Sequence, residues 1–277
     1  MVRKIVFIMV VLALLGVGLV AWGYRTATAD PVVRETRAGL AGWPAGAPPV
    51  RAVLLTDIHV AGPDMPPARL ARIVEAVNRL RPDIVLIAGD FVSDKRTATR
   101  FYAIDESIAP LAGLRARFGT AAVLGNHDHW RDAAAMRSAL SEAGVTVVDN
   151  GAVARGPLVI GGLDDAFTDH ADLPATVAAM RRLPGARVML SHSPDPFPKL
   201  PRDVGLMLAG HTHCGQIRLP LVGAISTMSA YGERYACGRI DENGRTLVVS
   251  AGLGTSILPL RIGAVPDFWL VTIGPRR

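Results

Sequence analysis

Five short segments of this sequence place acidic, amide or imidazole side chains directly after apolar runs. They read T-D-I-H, G-D, G-N-H-D, S-H and G-H-T-H and begin at positions 56, 89, 125, 191 and 210. Side chains of these types offer lone pairs, and clustering them without a cation would leave desolvated polar groups without donors. The candidate metal ligands in these segments are Asp57, His59, Asp90, Asn126, His192, His211 and His213.

Together, the seven candidate ligands predict a site for two divalent ions, although a lone H-x-H pair is as typical of a polar turn. Mixed nitrogen and oxygen donors favour ions such as Mn, Fe or Zn over Ca or Mg. A carboxylate such as that of Asp90 can bridge two ions about 3.5–4 Å apart, the separation used in two-metal phosphate chemistry. Because side chains alternate along a strand, the D-x-H and H-x-H spacing predicts that each pair points to one side.

The elements that must position these residues alternate between short apolar runs and helical patterns. Helices are predicted over 66–82, 101–118 and 131–144 from apolar spacing and flanking Pro or Gly. Strands are predicted at 52–56, 83–88, 121–124, 145–148, 157–161, 187–191, 204–208, 246–250 and 268–273. This alternation predicts an α/β protein with parallel strands in its first half and a second sheet packed on the first. Ligands of such sheets gather at the carboxyl ends of the strands, where the five segments lie.

Composition and charge argue against a nucleic-acid partner. Half of the 277 residues are hydrophobic and 19% are charged, which suits one large domain with a short appendage. The formal net charge is +6, and no basic stripe interleaved with aromatic residues is present. The two cysteines, Cys214 and Cys237, form no C-x-x-C pair. We interpret them as free thiols, with a single bridge as the alternative.

The first 29 residues predict a membrane anchor or signal segment. An uncharged run over 5–24 follows Arg3 and Lys4 and is about long enough to cross a bilayer as a helix. The run is longer than the apolar core of a typical cleaved signal, although Ala-Thr-Ala at 27–29 offers a cleavage site. A single-pass anchor in contact with the lipid bilayer is therefore the preferred interpretation.

The remainder of the chain divides into a linker and a catalytic domain. Residues 30–50 are rich in Pro, Gly and Ala and predict a linker, so the domain is assigned to 51–277. Basic residues before the membrane run favour an extracytoplasmic domain, while arginines just beyond it weaken that preference and leave the cytoplasmic face as the alternative.

The order of the five segments resembles the calcineurin-like metallophosphoesterases over residues 52 to about 273. The stretches 162–173, 210–226 and 248–267 resemble the membrane-associated YkuE-like branch, with Cys214 in place of a usual glycine and Ala251 in place of a frequent arginine. The resemblance implies a four-layer α/β/β/α metallophosphoesterase sandwich of two mixed sheets, preceded by one N-terminal transmembrane helix.

The resemblance also implies roles for individual residues. One ion would be held by Asp57, His59, Asp90 and His213, and the second by Asp90, Asn126, His192 and His211. A hydroxide bridging the ions would attack phosphorus in line, with His127 as general acid and Asp128 orienting its ring. Asp94 is interpreted equally as a turn or helix cap and as a contact beside the site. Candidate substrate-binding residues are Asp164, Arg218, Gly254 and Thr255.

The predicted function is dinuclear-metal-dependent hydrolysis of a phosphodiester, phosphomonoester or pyrophosphate bond at a membrane surface, with a lipid-linked substrate as one candidate. A more specific alternative is the UDP-2,3-diacylglucosamine pyrophosphatase of lipid A biosynthesis. A non-catalytic scaffold with the same fold is a further alternative, but scaffolds are expected to have lost ligand segments, and all five are intact here.

Overall fold

Residues 1–276, which the computed structural model describes, form two six-stranded sheets with helices on their outer faces. The helices are α1 (Val2–Thr28), α2 (Pro67–Arg79), α3 (Ile104–Ile108), α4 (Asn126–Glu142) and α5 (Leu173–Arg181). The first sheet holds β1 (Val32–Leu40), β2 (Val50–Leu55), β3 (Ile84–Ala88), β4 (Thr120–Val123), β5 (Val145–Val147) and β14 (Asp267–Pro275). The second holds β6 (Gly151–Arg155), β7 (Leu158–Leu163), β8 (Ala186–Ser191), β9 (Leu206–Ala209), β12 (Gly238–Glu242) and β13 (Arg245–Val249). A short hairpin consists of β10 (Arg218–Leu219) and β11 (Gly223–Ala224).

Both sheets are mixed, with parallel strands at their centres. The first has the order β1-β14-β2-β3-β4-β5, and its strands β2 to β5 run parallel while β14 runs against β2. The second has the order β12-β13-β9-β8-β7-β6, with antiparallel strands at both ends. The parallel strands of each sheet therefore end at one edge, where the predicted ligands follow them.

Three apolar layers hold the sheets and helices together. The sheets pack face to face through a buried cluster that includes Leu54 and Leu86 from the first and Ile160 and Leu208 from the second. Helices α2, α3 and α4 cover the outer face of the first sheet, and α5 covers that of the second. The predicted four-layer α/β/β/α architecture is confirmed.

Two predicted elements differ from the structure. Residues 32–40, assigned to the linker, instead form β1, which pairs in parallel with β14 over nine residues. Only Ala38 and Leu40 of this edge strand are buried. The strand is therefore stabilised mainly by backbone pairing, and its sequence has no apolar pattern from which it could be predicted. Of the helix predicted over 101–118, only α3 and a following 3-10 turn are observed, and this turn contains Pro110. Proline cannot donate the backbone hydrogen bond that would continue an α-helix.

Helix α1 projects from the domain and contacts it at its C-terminal end. It is long and apolar enough to cross a membrane, and most of its side chains are exposed. Within the helix only Gly23 and Ala27 are buried, and the carbonyl of Ala29 just beyond it accepts a 2.7 Å hydrogen bond from Arg69 of α2. The C-terminal end of α1 therefore lies next to the N-terminal end of α2.

Candidate metal centre

The seven candidate ligands converge at the carboxyl edge of the two sheets, where they follow the ends of five strands. In chain order they are Asp57 and His59 after β2, Asp90 after β3, Asn126 after β4, His192 after β8, and His211 and His213 after β9. All seven side chains are buried. The structure thus brings together every residue that the sequence predicted as a metal ligand, and we call this set the ligand cluster.

Local backbone conformation, rather than strand alternation, turns these side chains toward one point. Five of the seven have a left-handed backbone, with φ between 48° and 70°: Asp57, His59, Asp90, His211 and His213. Residues other than glycine seldom adopt this region, and such conformations persist where the surrounding structure holds them, often at functional sites. The prediction that D-x-H and H-x-H converge from an extended strand is wrong, because both pairs lie in turns beyond the strand ends.

Four side chains form one half of the ligand cluster. His59 Nε2 lies 3.1 Å from His213 Nε2 and 3.4 Å from Asp90 Oδ2. His213 Nε2 lies 3.5 Å from Asp57 Oδ1. Ligand atoms of Asp57, His59 and His213 are close enough together to share one ion.

The other half is built around His192. Its Nε2 atom lies 3.1 Å from Asn126 Oδ1, 3.1 Å from His211 Nδ1 and 3.2 Å from Asp90 Oδ2. Asp90 Oδ2 therefore faces imidazoles of both halves, His59 on one side and His192 on the other.

Hydrogen bonds at the far side of two rings orient them for metal binding. His192 Nδ1 lies 2.8 Å from the carbonyl oxygen of Ala88, and His211 Nε2 lies 3.2 Å from that of Met228. A neutral ring that donates to a carbonyl from one nitrogen carries its lone pair on the other, here directed into the cluster. Backbone partners of this kind orient metal-binding histidines.

The electrostatics of the cluster also suit a cation. Burial lowers the pKa of His59 and His213 well below the ordinary value and that of His211 to about 4, so these rings stay in the neutral form that binds metal. Burial opposes a charge on His192, but Asp90 and Asp57 outweigh it and hold the pKa of this ring well above the ordinary value. Asp90 and Asp57 thus attract positive charge to the position of His192, which suits a site for a divalent ion.

His127 lies at the edge of the ligand cluster and is paired with Asp94. Its Nε2 atom is 4.0 Å from Asp90 Oδ2, and its Nδ1 atom is 2.5 Å from Asp94 Oδ1. The His127 side chain is 11% exposed and that of Asp94 49%, so the pair sits at the mouth of the site. Of the two interpretations of Asp94, the structure supports the contact beside the site.

Asp128 does not orient His127, and this prediction is wrong. Its carboxylate is fully buried and accepts hydrogen bonds of 2.8–2.9 Å from the backbone N–H groups of Asp90, Phe91 and Gly125. Burial raises the pKa of this carboxyl to about 7. Asp128, in the first turn of α4, therefore connects this helix to the turn that contains Asp90.

The four candidate substrate contacts are engaged within the protein. Thr255 is fully buried, with its hydroxyl on Asp64 and Lys95, and Gly254 N–H donates to the Asp57 carbonyl at 2.8 Å. Asp164 lies 2.8 Å from His129 Nε2, and Arg218 donates to the Cys214 carbonyl and to Glu233. The Gly254 N–H thus holds the turn at Asp57, and the Thr255 hydroxyl joins Asp64 to Lys95, while the role of all four residues in substrate binding stays a prediction.

Two exposed aromatic residues that sequence analysis missed line the mouth of the site. The Trp130 ring lies 4.9 Å from that of His127, and the Phe167 ring lies 4.7 Å from that of His211. The two aromatic rings are 6.4 Å apart. Trp130 stands one helical turn after His127 on α4, a spacing that places both on one face and could have indicated the contact.

Cys214 and Cys237 form a disulfide, so their interpretation as free thiols is wrong. The bridge joins the turn after His213 to the start of β12 across 23 residues. Sequence spacing could not show that the fold brings the two Cα atoms to 4.6 Å.

A glycine before His211 allows Asp57 its position, and we expect Gly210→Ala to disturb the ligand cluster. A Cβ atom at residue 210 would lie 2.3 Å from Asp57 Oδ2. We expect metal affinity to fall about 10–100-fold, as when a group supporting a metal ligand is lost. Competition with a chelating dye measures this, with Gly16→Ala, where a Cβ meets nothing within 4 Å, as control. Unchanged affinity in Gly210→Ala would contradict the expectation.

Comparison with protein families decides the assignment of this site. The profile described as calcineurin-like phosphoesterase matches residues 50–215, which include all seven members of the ligand cluster. The chain belongs to the calcineurin-like phosphoesterase family. It is therefore a hydrolase acting on phosphate esters, with clustered His and Asp residues that indicate a divalent metal site.

Three relatives place this calcineurin-like phosphoesterase in the predicted branch. A metallophosphoesterase of Bacillus subtilis named YkuE is 34% identical over 74% of this chain and 72% of its own. The phosphodiesterase YaeI of Escherichia coli is 28% identical over 82% of this chain and 83% of its own. A Danio rerio transmembrane protein with a metallophosphoesterase domain is 28% identical over 95% of this chain, which spans 61% of that longer protein.

Proposed function

We propose that this protein is a membrane-anchored phosphodiesterase that uses two divalent ions. The observation that carries the proposal is the shared position of Asp90 Oδ2, which faces His59 at 3.4 Å and His192 at 3.2 Å. One ion is assigned to Asp57, His59, Asp90 and His213, and the other to Asp90, Asn126, His192 and His211. The donor set favours Mn, Fe or Zn.

In the proposed reaction, the ions and the side chains of His127 and Asp94 at the mouth of the site have different roles. When bound by these residues, divalent ions would supply a nucleophile from water and would neutralise charge on the phosphoryl oxygens. His127 donates a proton from Nε2 to the leaving oxygen, since this nitrogen faces the cluster while Nδ1 is held by Asp94. Asp94 keeps the ring in that orientation.

A diester is favoured over a monoester by the surroundings of His127. The exposed rings of Trp130 and Phe167 lie beside His127 and His211 and offer apolar contacts to organic substituents, of which a diester carries two and a monoester one. The relative YaeI is named as a phosphodiesterase, which agrees with this preference. A lipid-linked diester combines the apolar substituent with the apolar helix α1.

The catalytic domain is proposed to lie outside the cytoplasm, beginning at β1 and following a single-pass anchor at residues 1–29. The Cys214–Cys237 disulfide supports this side, because disulfides persist in oxidising compartments. The lipid A pyrophosphatase alternative acts on a cytoplasmic substrate and gains no support from the relatives described above. Protease added to right-side-out and inside-out vesicles tests the orientation, and cleavage of the domain only in inside-out vesicles would contradict it.

The proposed activity is tested with the full chain reconstituted in lipid nanodiscs, stripped by chelator and refilled with Mn²⁺. Bis(p-nitrophenyl) phosphate and p-nitrophenyl phosphate serve as diester and monoester. We expect turnover that depends on the metal and favours the diester by about tenfold. Equal turnover of stripped and refilled protein would contradict the metal-dependent mechanism, and a preference for the monoester would overturn the diester assignment.

A further inference from the structure

Large apolar side chains are exposed in and just after the β10–β11 hairpin and in the segment before β14. Val222 and Ile257 are 71% and 72% exposed. We call this set the apolar rim, and its members are Leu221, Val222, Ile225, Ile257 and Leu258. Grouped exposed apolar residues of this size usually mark a contact surface.

Hydrogen bonds join the two parts of the apolar rim into one surface. The Gln216 side chain donates to the Leu258 carbonyl at 3.0 Å and accepts from the Ser256 N–H at 3.0 Å. The backbone N–H of Arg218 donates a hydrogen bond to the Ile262 carbonyl at 2.8 Å. The hairpin and the later segment are therefore held together.

Helix α1 meets the domain at this same segment. The backbone N–H of Arg261 donates a hydrogen bond to the Gly23 carbonyl at 3.0 Å. The helix packs closely here, since a Cβ atom at Gly23 would lie 3.5 Å from side-chain atoms of Leu260 and Ile262. Gly23 is one residue from the end of the uncharged run 5–24. With that run spanning a bilayer, as proposed above, the segment carrying Ile257 and Leu258 would lie at the membrane boundary.

The charge of the two segments suits a lipid surface. Residues 216–230 and 256–263 contain no Asp or Glu, so no acidic group of theirs repels anionic headgroups. Their two charged residues are Arg261, which is buried, and Arg218, which lies 3.2 Å from Glu233. Neither places an unpaired charge on the apolar rim.

We propose that the apolar rim inserts into the bilayer that α1 crosses and holds the mouth of the metal centre against the membrane. The inference rests on the anchoring part of the proposed function and names the surface that makes the second contact. The apolar rim is close to the site along the chain, because the carbonyl of Met228, three residues beyond Ile225, lies 3.2 Å from His211 Nε2. A lipid-linked ester could then reach the ions without leaving the bilayer.

The test places a nitroxide spin label in the full chain, reconstituted as one copy per nanodisc. The two cysteines of the chain are bridged, so a single introduced cysteine is labelled selectively. Val222→Cys reports on the apolar rim, Leu12→Cys on α1, and Ser141→Cys on the far end of α4. We expect the labels at 222 and 12 to be more accessible to oxygen than to a water-soluble nickel reagent, with the reverse order at 141.

Each other outcome overturns a distinct statement. A label at 222 that resembles 141 while 12 remains in lipid would overturn the insertion of the apolar rim and leave the anchor intact. Labels at 12 and 222 that are both in water would overturn the anchor as well. A label at 222 shielded from both reagents would show protein rather than lipid against the rim. None of these readouts depends on turnover.

Discussion

Replacing Asp90 with asparagine is expected to lower diester turnover by about three orders of magnitude. Asp90 Oδ2 is the atom that faces both halves of the ligand cluster, and an amide oxygen in its place carries no charge to hold the two proposed ions together. Metal ions stabilise transition-state charge by several kcal/mol, and each 1.36 kcal/mol is about tenfold in rate. Loss of the shared ligand should therefore remove most of the rate.

Metal content separates this explanation from general unfolding. We expect purified Asp90→Asn to carry less metal per chain than the parent protein, measured by plasma mass spectrometry after refilling with Mn²⁺. Asp105→Asn, the same change at an exposed position of α3, serves as the matched control and should keep both metal and turnover. Full metal content together with full turnover in Asp90→Asn would show that the carboxylate is not the shared ligand.

The ligand cluster could be predicted from sequence because its signals are local. Each ligand segment follows an apolar strand, and the carboxyl ends of parallel strands meet at one edge, so residue types and order were enough. The way in which the side chains converge was not predictable from spacing. Asp57 and His211 reach the cluster through left-handed turns, and the Asp57 carboxylate then accepts the His211 N–H at 3.0 Å, a contact across 154 residues.

Contacts between distant segments account for the errors. Asp128 is adjacent to His127 in sequence, but its carboxylate turns to backbone N–H groups, while Asp94, 33 residues away, reaches the His127 ring. Strand β1 was missed because its stability comes from pairing with β14 at the other end of the chain. Both features depend on tertiary placement that periodicity does not contain.

Removing the imidazole of His127 is expected to affect esters according to their leaving group. A general acid contributes about 10²–10⁴ in rate when the leaving oxygen needs a proton, so His127→Ala should lower turnover of an alkyl diester by about that factor. Nitrophenolate leaves without protonation, so the nitrophenyl diester should lose far less. Measuring kcat/KM across a series of leaving groups reveals this as a steeper dependence on leaving-group pKa, and equal losses on all esters would contradict the acid role.

Asp94 is expected to act only through His127, and a double-mutant cycle can show it. Asp94→Asn keeps the side-chain shape but loses the charge beside His127 Nδ1, so we expect a loss of about 10–100-fold on the alkyl diester, typical of a partner that orients a functional group. Adding this change to His127→Ala should cost nothing further, because groups that act as a unit are not additive. Additive losses would mean that the half-exposed Asp94 carboxylate contacts substrate or solvent independently, and the orientation of the His127 ring would then need another cause.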